Sequence, residues 1–266
     1  MSKFDLIKWS PTLTRLAYNW LYARLAYKQY KEHKACLGQL TMYKNIHKGK
    51  RCFIIGTGPS LTLEDLNALK DEITFAPNRI YELLDRTSWR PTYYMCQDHN
   101  IIQTFGARIK EIDSDVVFLP VNYKNEFVGD KYKFFVLKEK NYYPKDADFS
   151  KDVSKYIAQG YTVTYGAIQI AIYMGFSEIY LIGIDHNYNI TRDASGRPVR
   201  KNESGNYSKG MSEYVNMKNL PRVEESTIAY EVAEKVSRQM GVRIYNATRG
   251  GKLETFERVD LDNLLN

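Results

Sequence analysis

Arg51-Cys-Phe-Ile-Ile-Gly-Thr-Gly-Pro-Ser60 is a short apolar run broken by two glycines and a proline. A strand that is half exposed alternates polar and apolar residues. A strand buried on both faces of a parallel sheet reads as a continuous apolar run and ends where glycine lets the chain turn. The stretch therefore predicts an interior parallel strand followed by a tight turn. The acidic pair Glu64-Asp65 just beyond it suits the first turn of a helix beginning near Ser60.

The same pattern recurs downstream. Apolar runs at residues 72–76, 91–96, 115–119, 132–137 and 178–183 predict further strands, and residues 242–245 a last one that closes the sheet. Residues 164–174 carry Ile168, Ala171 and Ile172 on one helical face and stop at Gly175. Residues 221–240 read as another helix, and 189–221, polar and rich in Asn, Ser, Gly and Lys, as a long loop. Strands alternating with helices predict an α/β fold with a doubly wound, mostly parallel, Rossmann-like sheet. No internal repeat interrupts it.

Upstream of the first strand, residues 11–35 predict a helix with Pro11 in its first turn and Leu13, Leu16, Ala17, Trp20 and Leu21 at helical spacing. Residues 1–51 hold eleven Lys or Arg against Asp5 and Glu32. The other 215 residues hold 27 basic and 29 acidic side chains, so the formal charge of +7 belongs to the N-terminal segment. The chain divides into a basic amphipathic helical extension at 1–49 and an α/β domain at 50–266. A basic, aromatic helix fits either an anionic membrane surface or a protein surface, its own domain or another subunit. No nucleic-acid-binding motif accompanies the charge.

Composition narrows the class. The 266 residues, 44% hydrophobic and 26% charged, suit a globular protein with a substantial core. Cys36, Cys52 and Cys96 are widely spaced and odd in number, which predicts free thiols in a reducing cytosol. No run approaches the roughly 20 apolar residues of a membrane span, and no secretory leader is recognisable. The expected location is cytoplasmic, peripheral at the inner membrane face.

In open α/β sheets ligands lie beyond the carboxyl ends of the strands. There the sequence places Gly56-Thr57-Gly58-Pro59-Ser60, then Asn78-Arg79, then Gln97-Asp98-His99, then Asp185-His186. Glycines in the 56–60 turn permit close backbone approach and positive φ, and a following helix N-terminus would offer N–H groups to phosphate. The two Asp-His pairs suit a general base, a metal ligand or ribose contacts; either Asp also suits a helix N-cap. Zinc lacks further ligands nearby, whereas Mg²⁺ held by Asp98 or Asp185 with a diphosphate remains open. Arg192, Arg197, Arg200 and Lys201 suit a lid over an anionic substrate. Thr248 and Arg249 stand in a second glycine-rich turn, within reach of phosphate.

Four blocks, FIIGTGPSL, APNRIY, TVTYGAIQIAIYMGFSEIYLIGIDHNY and RIYNATRGGKLETFERVDLDNLL, resemble the 6-hydroxymethylpterin diphosphokinase-like (MptE-like) domain family over roughly residues 50–260. They are also similar to the family 42 sialyltransferases, in the G-x-G-P-S turn, the Asn after the second strand, the T-x-x-G helix and the strand ending in G-I-D. The resemblance implies a sialyltransferase-like fold and a nucleotide site at Gly56, Thr57, Gly58, Pro59, Ser60, Asn78, Thr164, Gly183 and Asp185. Arg79, Asp98, Tyr165 and Gly166 are expected beside them. It further implies a CMP-type sugar donor and a base that deprotonates the acceptor. The sialyltransferases carry a histidine before the last helix. This chain has none after His186, so His186 or Glu224 would serve, with Asp185 positioning the reacting centre. The expected activity is a glycosyltransferase of bacterial surface polysaccharide assembly, with a nucleotide-sugar donor, a glycan or glycolipid acceptor and no required cofactor. A homo-oligomer is compatible with it. The alternatives are a diphosphokinase acting on a pterin-like alcohol with ATP and Mg²⁺, and a non-catalytic binding protein of the same fold.

Overall fold

The computed structural model describes residues 11–139, 147–188, 190–192, 198–200, 207–209, 211 and 221–265. In chain order the elements are α1 (Pro11–Glu32), α2 (Lys34–Leu37), β1 (Arg51–Ile55), α3 (Leu63–Ala68), β2 (Thr74–Pro77), α4 (Tyr81–Leu84), β3 (Tyr93–Met95), α5 (His99–Lys110), β4 (Val116–Pro120), β5 (Tyr132–Phe135), β6 (Leu137–Lys138), β7 (Ile157–Ala158), α6 (Val163–Tyr173), β8 (Glu178–Ile182), β9 (Ile190–Arg192), β10 (Pro198–Arg200), α7 (Val223–Gln239), β11 (Arg243–Asn246), β12 (Glu257–Arg258) and α8 (Leu261–Leu265).

Among the described residues, eight strands form one sheet in the order β12-β11-β8-β1-β2-β3-β4-β5, and every pairing in it is parallel. The doubly wound sheet expected from the sequence is thus present. From β1 the chain runs outward through β2 to β5, then returns to the other side of β1 with β8. The order reverses between β1 and β8, and a crevice opens at such a switch point. Strand β1 is central, and its side chains enter two cores. Phe53 and Ile55 join α3, α4, α5 and α8, while Cys52 and Ile54 join α6 and α7.

Several elements differ from expectation. The helix after β1 starts at Leu63, three residues late, because Thr62 closes a capping box with Asp65: Thr62 Oγ1 accepts from the Asp65 N–H and Asp65 Oδ2 from the Thr62 N–H. Strand β11 does not close the sheet, since β12 pairs outside it. The polar 189–221 stretch is not wholly loop, since β9 and β10 pair antiparallel within it. The 132–137 run splits into β5 and β6, and β6 pairs with β7 apart from the main sheet.

Helix α6 is buried along its whole length, and its one strongly polar side chain is fully satisfied. Gln169 Oε1 accepts from the N–H groups of Ser150 and Ala158, both at 2.9 Å, and its Nε2 donates to Ala158 O at 2.9 Å and Tyr165 O at 3.1 Å. A buried amide so paired costs little, and it fixes the 150–158 segment on the helix. At the far end, the carbonyls of Tyr173, Met174 and Gly175 accept from Asn45, His47 and Gly49. The segment before β1 thereby satisfies carbonyls that a helix end leaves open. Leu37 and Leu40 are also buried in the two cores.

Candidate active site at the β1–β8 crevice

The 56–60 turn lies on the switch point, seated directly on the end of β8. Gly56 N–H donates to Ile182 O at 2.7 Å and Gly58 N–H to Gly183 O at 2.9 Å. A Cβ on Gly56 would lie 2.3 Å from Gly183 O, and one on Gly58 2.0 Å from Asp185 Oδ2. The glycines are required by this contact. Positive φ, expected for them, is found instead at Gly183, where φ is +65°. Gly166 is a close-packing glycine too: its Cβ would lie 2.6 Å from Met95 Cε and 3.0 Å from Gln97 Oε1.

Asp185 closes the turn. Its Oδ2 accepts from the Ser60 hydroxyl at 2.8 Å and the Ser60 N–H at 3.3 Å. Burial pushes the Asp185 carboxyl upward, and the Ser60 bonds partly oppose that. Ser208 seals the other side, donating its N–H to Thr57 O at 2.9 Å and its hydroxyl to Leu61 O at 2.8 Å. The N–H groups of Gly56, Gly58 and Ser60 are therefore engaged within the protein, and Pro59 has none. The turn serves as a shaped wall. At the next helix start the capping box of α3 engages the Thr62 and Asp65 N–H groups, two of the donors expected to face a phosphate.

The neighbouring strand ends supply unspent acceptors. Asn78 follows β2 in a left-handed conformation, φ +48°, with its carbonyl held by Tyr94 Oη at 2.5 Å. Gln97 is two residues past β3, 9% exposed, against Gly166. Pro77 and Met95 are register partners, so Asn78 and Gln97 follow from neighbouring strand ends, offset by one residue. Asn78 Oδ1 and Gln97 Oε1 are buried and, among the described residues, accept no hydrogen bond. A buried unsatisfied acceptor costs about 1–3 kcal/mol, which a ligand donor would recover.

The remaining predicted residues divide. Thr164 is buried near the start of α6, where Thr162 Oγ1 caps the Thr164 N–H at 3.3 Å. The Tyr165 hydroxyl is committed to Asp148 O at 2.6 Å in the core. Arg79 is 2% exposed, bonded to Glu82 and stacked between Tyr207 and Phe105. Asp98 caps α5, accepting from the Asn100 and Ile101 N–H groups. Next to it, His99 contacts Tyr123 Oη at 2.7 Å and Glu139 at 3.5 Å, and Glu139 raises its pKa above 6.5. Thr248 Oγ1 accepts from Ile184 N–H, which ties the ends of β11 and β8, and Arg249 pairs with Asp65 of α3 and Asp262 of α8. Of the expected lid, Arg197, Lys201 and the side chains of Arg192 and Arg200 lie outside the described residues.

His186 turns away from the 56–60 turn, with φ +50°, onto α7. Its ring packs edge-on against Tyr230, centroids 5.6 Å apart, and its Nε2 lies 2.7 Å from Thr227 Oγ1. The Thr227 hydroxyl in turn donates to Val223 O at 2.9 Å. A hydroxyl has one hydrogen, so both bonds form together only if His186 Nε2 is the donor. Nδ1 then carries the lone pair. Burial lowers the His186 pKa below 6.5, which keeps the ring neutral at pH 7. His186 and Thr227 line a cavity of about 480 Å³ with Glu231, Lys235, Lys252 and Glu254. Glu224 is exposed on the first turn of α7. The sequence reading missed Thr227, Tyr207 and Ser208. Thr227 sits one helical turn from the flagged Glu224, whereas no local pattern marks Ser208.

The model for 6-hydroxymethylpterin diphosphokinase MptE-like proteins matches residues 26–191. The chain belongs to the MptE-like family. Its fold is similar to that of the MAf glycosyltransferase from Magnetospirillum magneticum AMB-1, at 16% identity and a TM-score of 0.53 over 86% of this chain. This MptE-like chain spans only 38% of that protein. The sialyltransferase CstII from Campylobacter jejuni, in a complex with cytidine-5'-monophosphate, aligns at 16% identity and a TM-score of 0.43, over 80% of this chain and 85% of that one. At such identities the likeness is one of fold. No curated protein matches the sequence.

Proposed function

We propose that the chain is a glycosyltransferase that binds a nucleotide-sugar, of cytidine type, in the β1–β8 crevice. One observation carries the reading: Asn78 Oδ1 and Gln97 Oε1, at the ends of two neighbouring strands, are buried and, among the described residues, accept no hydrogen bond. Cytosine presents an exocyclic amino group to such acceptors, as adenine does, where uracil presents a carbonyl. The resemblance of the sequence blocks to the family 42 sialyltransferases points to the same donor, and the fold shared with a glycosyltransferase is consistent with it.

In this reading the 56–60 turn walls the nucleotide and the acceptor enters the cavity beside His186. An acceptor hydroxyl attacks the anomeric carbon, the bond to the nucleotide phosphate breaks with its electron pair, and His186 Nδ1 takes the hydroxyl proton. Direct displacement inverts the anomeric centre. Asp185 acts through the turn it holds, as a positioning residue. A CMP-, UDP- and GDP-sugar panel with acceptor glycans tests the proposal; absence of both turnover and binding refutes it.

The family match favours a second reading, a diphosphokinase acting on a pterin-like alcohol with ATP and Mg²⁺. Its metal would fall to Asp98 and Asp185. Both carboxylates are tied to backbone or hydroxyl donors, and among the described residues no three His, Cys, Asp or Glu gather as an ion site. Among the described residues, these side chains therefore do not fit a ready ion cage. ATP binding that depends on Mg²⁺ would establish this reading over the first.

A further inference from the structure

Helix α1 is inverted relative to a helix packed on its own domain. Its less exposed residues are Thr14, Arg15, Ala17, Asn19, Tyr22, Ala26, Gln29 and Tyr30, with His33 just past its end, and more of them are polar than aliphatic. They meet polar partners: His33 Nδ1 lies 3.2 Å from Lys124 Nζ, and Asn19 and Tyr22 line a cavity of about 220 Å³ with Lys138, Asp148 and Gln159. The outward side carries the apolar bulk. Trp20 is 62% exposed, Leu13 59%, Tyr27 57% and Leu16 55%.

Cations are interleaved with these side chains. Arg24, Lys28 and Lys31 are exposed, with Arg24 over the Trp20 ring at 5.3 Å and Lys31 over Tyr27 at 5.0 Å. Glu32 is the one acid in the helix, 3.7 Å from Lys28. Exposed apolar surface of this extent on one face marks an interaction site. Charge selects what covers it. A second copy would bring the same cations onto themselves in an isologous contact, which like charges oppose. An anionic lipid surface offers headgroup charge to the cations, acyl boundary to Leu13 and Leu16, and the interfacial level that Trp and Tyr favour. No helix among the described residues is long and apolar enough to cross a membrane, so contact would be in the plane of the surface.

We propose that the outward face of α1 docks the protein on an anionic lipid bilayer, the helix lying along the surface with Trp20 and Tyr27 at the headgroup level. The proposal rests on this face and not on the transferase reading. It is tested by sedimenting the full chain with phosphatidylglycerol-containing vesicles and with pure phosphatidylcholine vesicles, at low and high salt. The expected result is binding to the anionic vesicles that weakens with salt. Each basic residue near the surface contributes roughly a fivefold change in partitioning, so the Lys28→Glu/Lys31→Glu variant should bind at least tenfold more weakly. Trp20→Ala should also weaken binding while keeping the wild-type melting temperature, because Trp20 is mostly outside the packed body. Equal binding to both vesicle types, or none to either, overturns the proposal. So does a solution dimer that Trp20→Ala dissociates without a change in vesicle binding, which would make the face a self-association surface. Should Trp20→Ala unfold the chain, the charge variant, altered only at exposed positions, decides the matter.

Discussion

Replacing Gly56 by alanine adds one methyl group where no space exists. The new Cβ would stand 2.3 Å from Gly183 O and 2.5 Å from Ile184 Cδ1, against an ordinary contact of 3.4 Å or more. The Ile184 side chain can rotate away. Gly183 O cannot, because it is main chain at the end of β8 and already accepts from Gly58 N–H. Relief requires the turn and the strand end to part by about 1 Å, which stretches the Gly58 bond and the Ser60–Asp185 pair. Overpacking costs about 1–3 kcal/mol and a weakened buried hydrogen bond about 1 more, so the loss should be roughly 2–4 kcal/mol. For a chain of this size that lowers the melting temperature by roughly 4–8 °C. Gly58→Ala should cost at least as much, since it meets both Asp185 Oδ2 at 2.0 Å and Gly183 O at 2.7 Å. Gly106→Ala is the control: its Cβ would meet Phe127 Cζ at 3.7 Å, ordinary contact, inside α5, where alanine is the better helix former by about 1 kcal/mol. Thermal denaturation followed by circular dichroism reads all three. If Gly56→Ala melts within a degree of wild type, the turn is not seated on β8 as described.

Three further outcomes follow from the same geometry. His186 is held below its ordinary pKa of 6.5, so its neutral, proton-accepting form persists below that pH; the acid limb of kcat/KM should fall under pH 6.5 and vanish in His186→Ala. Thr227→Val removes the acceptor that holds Nε2–H, so kcat should drop about tenfold, part of the roughly 10²–10⁴-fold that a positioned general base contributes, with little change in donor KM. Gln169→Leu leaves the Ser150 and Ala158 N–H groups and two carbonyls without their partner, so it should destabilise by about 3 kcal/mol or more and expose the 150–158 segment to proteolysis.

What the sequence could and could not disclose follows from range. The apolar runs of β1 and β8, each ending in glycine, are local signals, and with them came the parallel sheet and the rule that sites lie at strand ends. The Thr62–Asp65 capping box was also local, yet the acidic pair drew the predicted helix start back toward Ser60. Helix α5 carried a readable N-cap at Asp98 with apolar residues at 101, 102, 105 and 109, but the Asp-His pair there reads equally as chemistry. The reason for Gly56 and Gly58 was not local: it lies 125 or more residues away, at Gly183 and Asp185. Two-residue β12 has too little pattern to detect, and the seat of Ser208 on the turn depends on how the polar segment folds back. Arg79 and Arg249, both basic at strand ends, look like phosphate ligands until Glu82, Asp65 and Asp262 are placed beside them.

The central claim is that a cytidine-type nucleotide occupies the crevice beside the 56–60 turn, reading Asn78 and Gln97. Calorimetric titration of the wild-type chain with CMP, UDP, GDP and ATP, repeated on Asn78→Ala and Gln97→Ala, tests it most directly. The account predicts that CMP binds in preference to UDP, and that each variant weakens CMP by about tenfold, the equivalent of one buried hydrogen bond of about 1.4 kcal/mol. Binding of CMP at unchanged affinity in both variants, or no binding of CMP at all, would contradict it.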